Sequence, residues 1–262
     1  MARLNLPSNF CFTGAKFDDF YRSNLTSNLT KTIKFNSKRK NLQELTWLVH
    51  PLLLSAKTLA VTFALLLFLG LGATYFLAFY RGRFKAVLEA AVMFPLIFPP
   101  IATGFLLLYV LGRNGVIGKV LNLQIVFSFS ALVIASFLAG LPLFVKPVQS
   151  ALESLPKSLI EAGQSLGKNR FEIAVFILIP NVFKSVVSAL VLALARGLGE
   201  VGITLMLGGN IVGKTDTVSL AIYNAVYDGE NGRALVLSVI LVVLSLVLFG
   251  FINFLERAKK NG

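Results

Sequence analysis

The sequence predicts an all-α integral membrane protein with about five transmembrane helices. Of its 262 residues, 56% are hydrophobic and only 14% are charged, and the mean hydropathy is +0.77. A soluble domain of this length could not cover so much apolar surface with so few charges. The apolar residues also form runs long enough to cross a hydrocarbon core of roughly 30 Å. Because the basic residues cluster at the ends of these runs, the net charge of +13 is typical of cytoplasmic loops and does not indicate a nucleic-acid partner.

The residue types that build catalytic and metal sites are scarce. The chain contains one cysteine, Cys11, and one histidine, His50. A single thiol excludes an internal disulfide or a thiolate cluster within one chain. A single imidazole leaves little for a histidine metal site or a Ser-His-Asp triad. We therefore expect no catalytic residue, no metal and no bound cofactor in this chain.

Residues 1–45 form a polar, basic N-terminal tail without an apolar run long enough to span a membrane. They are rich in Asn, Ser, Thr, Lys and Arg, a composition typical of a poorly ordered segment. A cleaved targeting segment is the alternative, because such leaders are also basic and poor in acidic residues. We place the transmembrane domain at residues 46–262, with Trp47 at the membrane interface.

The first two spans are predicted at about Thr58 to Tyr80 and Ala86 to Leu111. The basic turn between them is expected on the cytoplasmic side. Prolines interrupt the second span and remove helical hydrogen bonds, so it is either a kinked helix or a broken helix that lines the pathway. The candidate pathway-lining residues are Pro99, Pro100 and Gly104.

The third span is predicted at about Ile125 to Val145, and a polar, basic segment at about Lys146 to Arg170 follows on the cytoplasmic side, within a coupling segment at about 146–180. Residues 171–209 are nearly all apolar, and one helix of that length would measure about 58 Å, twice the membrane core. A basic C-terminal end follows the last span, Ala234 to Leu255. An even number of crossings must separate two cytoplasmic segments. The last span is one of these crossings, so residues 171–209 should supply one more. We therefore expect Phe171 to Pro180 along the inner surface, Asn181 to Gly209 across the membrane, the N-terminus outside and the C-terminus in the cytoplasm.

Arg196 and Glu200 fall inside the predicted fourth span. Each charge at that depth costs about 2.5–3.5 kcal/mol, and residues one helical turn apart can pair to offset the cost. The pair is interpreted as a structural lock between spans, as a switching element, or as a direct contact of Arg196 with an anionic substrate.

The loop at residues 210–217 contains Gly213, Lys214 and Thr215, the last three residue types of a phosphate-binding loop. That loop would need an earlier glycine at a fixed spacing and a preceding buried strand. Gly208 stands at that spacing, but a predicted membrane span and not a buried strand precedes it, so the structural context of the motif is missing. We conclude that a partner must bind and hydrolyse any ATP, and that the chain is not an enzyme by itself.

The polar segment contains Glu161, Ala162, Gly163 and Gly167, followed by Ile177, Ile179 and Pro180. This pattern resembles the EAA motif of binding-protein-dependent ABC importer permeases of type I. The family pattern is Glu-Ala-Ala, three residues, Gly, nine residues, then Ile-x-Leu-Pro; here a glycine replaces the second alanine and an isoleucine replaces the leucine.

Within that family the chain looks most like the molybdate permeases. The resemblance covers about residues 45–260 and is carried by residues 94–100, 104–108, 112–118, 195–202 and 209–217. It implies a type I permease fold in the inner (cytoplasmic) membrane and the transport of molybdate or tungstate. A sulfate or thiosulfate permease is the alternative. A secondary transporter, a channel or a membrane enzyme is less favoured, because no inverted repeat and no cluster of titratable residues is visible.

The same resemblance implies the partners. They are a second copy of this chain, two ABC ATPase subunits that bind ATP and magnesium, and an external oxyanion-binding protein. The residues implied on the coupling helix, which docks into each ATPase, are Glu161, Ala162, Gly163 and Gly167.

Overall fold

A computed structural model describes residues 46–113, 115–121 and 125–260. The predicted tail at residues 1–45 lies outside the described residues, so its boundary and order stay predictions. The chain divides into the units Met1–Val49 and His50–Gly262, and the helices discussed below belong to the second unit except for the first four residues of α1. Regular secondary structure among the described residues is entirely helical, which confirms the all-α prediction.

Ten helices follow one another through the described residues. The first and the seventh each contain one π-helical turn, at Leu66–Gly70 and Ala174–Leu178. In chain order the helices are α1 (Thr46–Phe79), α2 (Lys85–Ile97), α3 (Pro100–Leu111), α4 (Val116–Leu121), α5 (Phe129–Glu153), α6 (Lys157–Ser165), α7 (Arg170–Leu198), α8 (Gly202–Gly208), α9 (Val218–Tyr227) and α10 (Asn231–Lys260).

Four of the described helices are long and apolar enough to cross a membrane: α1, α5, α7 and the part of α10 at Asn231–Gly250. The helices α2 and α3 meet the same criteria only as a pair, and they are bent by 117°. The break falls at Phe98 and Pro99, which have extended backbone conformations, and Pro100 opens α3 at a position that suits proline. The second span is therefore a broken helix, and the expected total of about five spans is confirmed if the pair counts as one.

The predicted division of residues 171–209 was wrong. Phe171 to Pro180 is not a separate piece along the inner surface, because α7 is one helix of 29 residues that includes it. The π-helical turn at Ala174–Leu178 ends two positions before Pro180, whose missing N–H would otherwise interrupt the α-helical hydrogen bonds. The crossing also ends at Leu198 rather than Gly209, and α8 is a separate short helix.

Three other boundaries differ from the prediction. Helix α1 begins at Thr46 and so includes the segment expected at the interface. Helix α5 begins at Phe129 and continues through two internal prolines to Glu153, so it includes the first residues of the predicted polar segment. The predicted last span lies within α10, which begins three residues earlier.

Helices α5 and α7 cross closely and run antiparallel, with small residues at the crossing. A Cβ at Gly140 would lie 2.7 Å from the carbonyl oxygen of Ala193, and one at Gly197 would collide with the Ser136 side chain. Each helix therefore carries two small residues four positions apart, the spacing that lets membrane helices approach closely. The buried core continues from this crossing along both helices through Phe144, Val145, Val148, Leu152, Val182, Val186 and Ala189.

We expect Gly140→Val to destabilise the chain by about 1–3 kcal/mol, because the added methyl groups would meet the backbone of α7. Thermal unfolding in detergent measures this as a lower melting temperature. Gly72→Val in α1 is the matched control, since a Cβ at Gly72 has nothing within 4 Å. Equal melting temperatures for the two variants would contradict the tight crossing.

Candidate functional site

The predicted coupling segment forms a short helix, α6, that ends in a well-defined turn. Gly167 has φ +72°, a left-handed conformation that glycine adopts without strain. The Lys168 N–H donates to the Gly163 carbonyl at 3.1 Å, and the Gly167 N–H donates to the Gln164 carbonyl at 2.9 Å. These two bonds form a Schellman motif, which satisfies the last carbonyls of α6 and stops the helix.

Helix α7 starts almost at once with a capping box. The Asn169 side chain accepts the Glu172 N–H at 2.8 Å, and the Asn169 N–H donates to the Glu172 carboxylate at 3.1 Å. The capping box satisfies two otherwise unpaired donors at the start of the helix. The four residues between α6 and α7, 166–169, are thus fixed by hydrogen bonds from both sides.

The four residues predicted on the coupling helix do not all face the same way. Gly163 is buried, and a Cβ there would lie 2.9 Å from side-chain carbons of Ile173 and Ile177 in α7. Glu161, Ala162 and Gly167 are exposed. Gly163 therefore lets α6 lie close against α7, while the other three remain accessible.

Two large apolar side chains beside α6 are also exposed. Leu166 is 77% exposed and Phe171 is 75% exposed. Lys168 and Arg170 lie between them in the sequence, and the Lys168 ammonium lies 5.7 Å from the centre of the Phe176 ring. We call Glu161, Ala162, Leu166, Gly167 and Phe171 together the coupling surface.

The predicted intramembrane pair forms at the other end of α7. Arg196 Nη1 lies 2.6 Å from Glu200 Oε2, and the side chain of Glu200 is 2% exposed whereas that of Arg196 is 31% exposed. The second carboxylate oxygen of Glu200 accepts the Ile203 N–H at 2.8 Å. Glu200 thus neutralises Arg196 and also caps the first turn of α8, a second role that the sequence did not indicate.

Two of the three predicted pathway-lining residues pack against α8. A Cβ at Gly104 would lie 2.9 Å from the Ile203 Cα, and one at Gly202 would lie 2.7 Å from the Pro100 side chain. Helices α3 and α8 therefore cross at a pair of glycines, where the backbones can touch. Pro99 is exposed at the break between α2 and α3.

The structure thus forms two separate sites. One contains the coupling surface at the start of α7, and the other contains Arg196, Glu200, Pro100 and Gly104 at its end. The 29 residues of α7 separate them by roughly 40 Å. Within the described residues, no group of three or more His, Cys, Asp and Glu side chains could hold a metal ion.

The loop with the Gly-Lys-Thr sequence is closed by its own hydrogen bonds. The Thr215 hydroxyl donates to the Gly208 carbonyl at 2.9 Å, and the Asp216 carboxylate accepts the Gly213 N–H at 3.0 Å. Asp216 also lies 3.2 Å from the imidazole of His50. Lys214 is exposed. Because of these contacts, the side chains of Thr215 and Asp216 already have partners within the protein.

Sequence reasoning missed a polar cluster that joins α2 to the end of α5. The signal was available, because Lys85 and Glu89 are four residues apart, as are Gln149 and Glu153, so each pair shares a helix face. What the sequence did not indicate was that the two faces meet. The cluster consists of Lys85, Glu89, Lys146, Gln149 and Glu153, and we call it the Gln149 cluster.

Known proteins resemble this chain in sequence. The molybdenum transport system permease protein ModB of Azotobacter vinelandii is 34% identical over 214 residues, which is 80% of this chain and 94% of that protein. The ModB protein of Escherichia coli (strain K12) is 32% identical over 223 residues, covering 81% and 96% of the two chains. The probable transport system permease protein NifC of Clostridium pasteurianum is 33% identical over 204 residues, covering 76% and 71%.

A solved structure shares the fold. It is the crystal structure of a bacterial ABC transporter involved in the import of the acidic polysaccharide alginate, with a TM-score of 0.55 and 17% sequence identity. The match covers 93% of this chain and 96% of that chain. At this identity the likeness supports the fold alone, and it agrees with the permease fold expected from the motif.

The family model of binding-protein-dependent transport system inner membrane components matches residues 67–261. That range contains the coupling surface, the Arg196–Glu200 pair and the crossing of α3 with α8. Together with the helical spans, this shows that the chain belongs to the family of inner membrane components of binding-protein-dependent transport systems.

Proposed function

We propose that this chain is the membrane-spanning permease subunit of an ATP-driven importer, and that its cargo is the oxyanion molybdate or tungstate. The observation that carries the proposal is the extended similarity to ModB proteins, at 32–34% identity over about 80% of this chain. The sulfate or thiosulfate alternative is not favoured by these relatives. As a multi-pass inner membrane component, the chain supplies the route for the ion and a partner supplies the energy.

The partners follow from the family and from the coupling surface. A binding-protein-dependent system includes a substrate-binding protein and an ATPase, and the family resemblance assigns the exposed part of α6 to contact with the ATPase. We propose the finer assembly of two copies of this chain and two ATPase subunits, with ATP and magnesium bound only by the ATPases. Glu161, Ala162, Gly163 and Gly167 belong to the docking helix, with Gly163 acting from its buried side.

The geometry supports a mechanical route from the ATPase to the pathway. Helix α6 is held against α7 by the contact at Gly163 and by the hydrogen-bonded turn at residues 166–169, so a push on α6 moves α7 with it. The far end of α7 carries the Arg196–Glu200 pair, which begins α8, and α8 crosses α3 at Gly104. Rigid-body movement between two packed arrangements is a common form of such coupling. We propose that the break at Pro99 and Pro100 and the crossing at Gly104 border the pathway.

The proposal also retains the predicted orientation. If α6 faces the cytoplasm, the antiparallel crossing of α5 and α7 places Phe129 and Leu198 toward the external side. The N-terminus outside and the C-terminus in the cytoplasm are then the consistent assignment.

We expect vesicles that contain this chain, its ATPase and its binding protein to take up labelled molybdate in an ATP-dependent manner. Excess unlabelled tungstate should reduce the uptake by at least tenfold, because the two ions have the same shape and charge. Excess sulfate should reduce it less than twofold. Strong competition by sulfate, together with weak molybdate uptake, would identify the sulfate alternative instead.

We expect Gly167→Val to lower uptake at least tenfold, because a β-branched residue at φ +72° costs about 1–2 kcal/mol and opposes the end of α6. Gly167→Asn is the matched control, since asparagine is similar in size and tolerates the left-handed conformation. No atom of this chain lies within 4 Å of a Cβ at position 167, so the two variants differ within the chain mainly in their tolerance of the backbone conformation. Uptake and co-purification with the ATPase are measured for both. Equal uptake by the valine and asparagine variants would contradict the role of this turn in coupling.

We expect Arg196→Met to destabilise the chain by about 3 kcal/mol, because it leaves the buried carboxylate of Glu200 without its cationic partner. The double variant Arg196→Met with Glu200→Gln should be more stable than the single variant, since glutamine can still accept the Ile203 N–H without a charge. Melting temperatures in detergent give the comparison. A double variant less stable than the single one would show that Glu200 is not held there by Arg196.

A further inference from the structure

We infer that Gln149 is a positioning residue that ties α2 to the end of α5, so that movement of α6 also reaches the broken pair α2 and α3. The inference rests on the proposed function, because it assumes that α6 is moved by an ATPase. It adds a second route to the one through α7. Its basis is the Gln149 cluster, which the transport proposal does not otherwise use.

The amide of Gln149 contacts both helices. Its Nε2 donates to Glu89 Oε1 in α2 at 2.8 Å and to Glu153 Oε1 in α5 at 3.0 Å. The orientation of the amide is determined by these partners, because a flipped amide would place its oxygen against two carboxylates. One side chain therefore uses both amide hydrogens to hold two acidic groups that would otherwise repel each other.

Two lysines complete the cluster from the opposite helices. Lys85 in α2 lies 3.0 Å from Glu153, and Lys146 in α5 lies 3.2 Å from Glu89. The charge pairs thus connect the helices in both directions. Their side chains are about a quarter to two-fifths exposed, so each ion pair alone contributes little.

Burial distinguishes Gln149 from the four charged residues. It is 4% exposed, and its amide oxygen has no hydrogen-bond partner among the described residues. A buried polar group with one unpaired atom is unfavourable, and Gln149 is the buried member of the cluster that hydrogen-bonds both carboxylates. An apolar residue of the same size would pack there without holding α2.

The cluster lies between two moving parts of the proposed mechanism. Glu153 is the last residue of α5, and only residues 154–156 separate it from α6. Glu89 lies in α2, whose other end is the 117° break into α3. Helix α3 then crosses α8 at Gly104. If α2 and the end of α5 move as one body, a displacement of α6 reaches α3 through α2. It also reaches α8 through α7, so both helices of the crossing at Gly104 are moved.

Covalent cross-linking tests whether the two helices move together. Phe84→Cys and Ser154→Cys place thiols at exposed positions directly before α2 and directly after α5 while leaving all five residues of the Gln149 cluster in place, and Cys11→Ser removes the only native cysteine. The complete complex with ATPase and binding protein is reconstituted, and uptake of labelled molybdate is measured before and after reaction with a thiol-specific bifunctional cross-linker. Each single-cysteine variant controls for modification without a cross-link.

We expect cross-linking to change uptake less than twofold in this background. We expect Gln149→Leu, added to the same background, to lower uptake at least tenfold without preventing co-purification with the ATPase. Cross-linking should then recover at least half of the lost uptake, because the covalent tie replaces the amide. A purely structural role of Gln149 in folding would not be rescued by a bond formed after assembly.

Three results would overturn the inference: uptake that stops on cross-linking in the Gln149 background, uptake by the Gln149→Leu variant equal to its parent, or a leucine variant that cross-linking does not rescue. If the leucine variant fails to assemble, the cross-link in the Gln149 background decides alone. Failure of the proposed function is recognised separately, because the native chain would then take up no molybdate. In that case ATP hydrolysis by the assembled complex, compared before and after cross-linking, gives the result for the two helices without reference to the cargo.

Discussion

The close antiparallel contact between α5 and α7 is the constraint on which the rest of the described structure depends. Ser136, Gly140, Ala193 and Gly197 remove side-chain volume where the two helices cross, and their backbones approach as a result. In a membrane, where lipid is as apolar as the side chains, packing and not burial from water stabilises such a contact. The coupling surface, the ion pair and the Gln149 cluster all lie on one of these two helices or are attached to one.

The ends of the two helices have contrasting chemistry. Near α6, both helices end in exposed polar and basic residues, and the Gln149 cluster adds five polar side chains. At the other end, a single carboxylate, that of Glu200, pairs with Arg196 and also accepts an N–H from the first turn of α8. The charged groups near α6 thus lie where water or a partner can reach them, whereas the buried carboxylate at the other end is compensated by Arg196.

Much of this could be predicted from the sequence, and the failures have physical causes. The apolar runs predicted the membrane class and the number of spans, and the four-residue spacing of Arg196 and Glu200 predicted their pairing.

The prolines were less informative, because a proline has opposite effects in different surroundings. Pro100 follows a complete break, whereas Pro142, Pro147 and Pro180 lie inside continuous helices. The π-helical turn before Pro180 cannot be seen in the sequence, so α7 was divided where it is continuous. Contacts between distant helices, such as Gln149 with Glu89, depend on packing that local periodicity does not describe.

The connection between α6 and α7 has a fixed length. Its four residues make a helix stop and a helix start, and each of those depends on hydrogen bonds at fixed residue separations: Lys168 to Gly163, Gly167 to Gln164 and Asn169 to Glu172. One added or deleted residue would put donors and acceptors out of register at once. The position of α6 relative to α7 therefore depends on the number of residues in this turn. The exposed side chains of the turn can differ from one partner to another as long as that number stays the same.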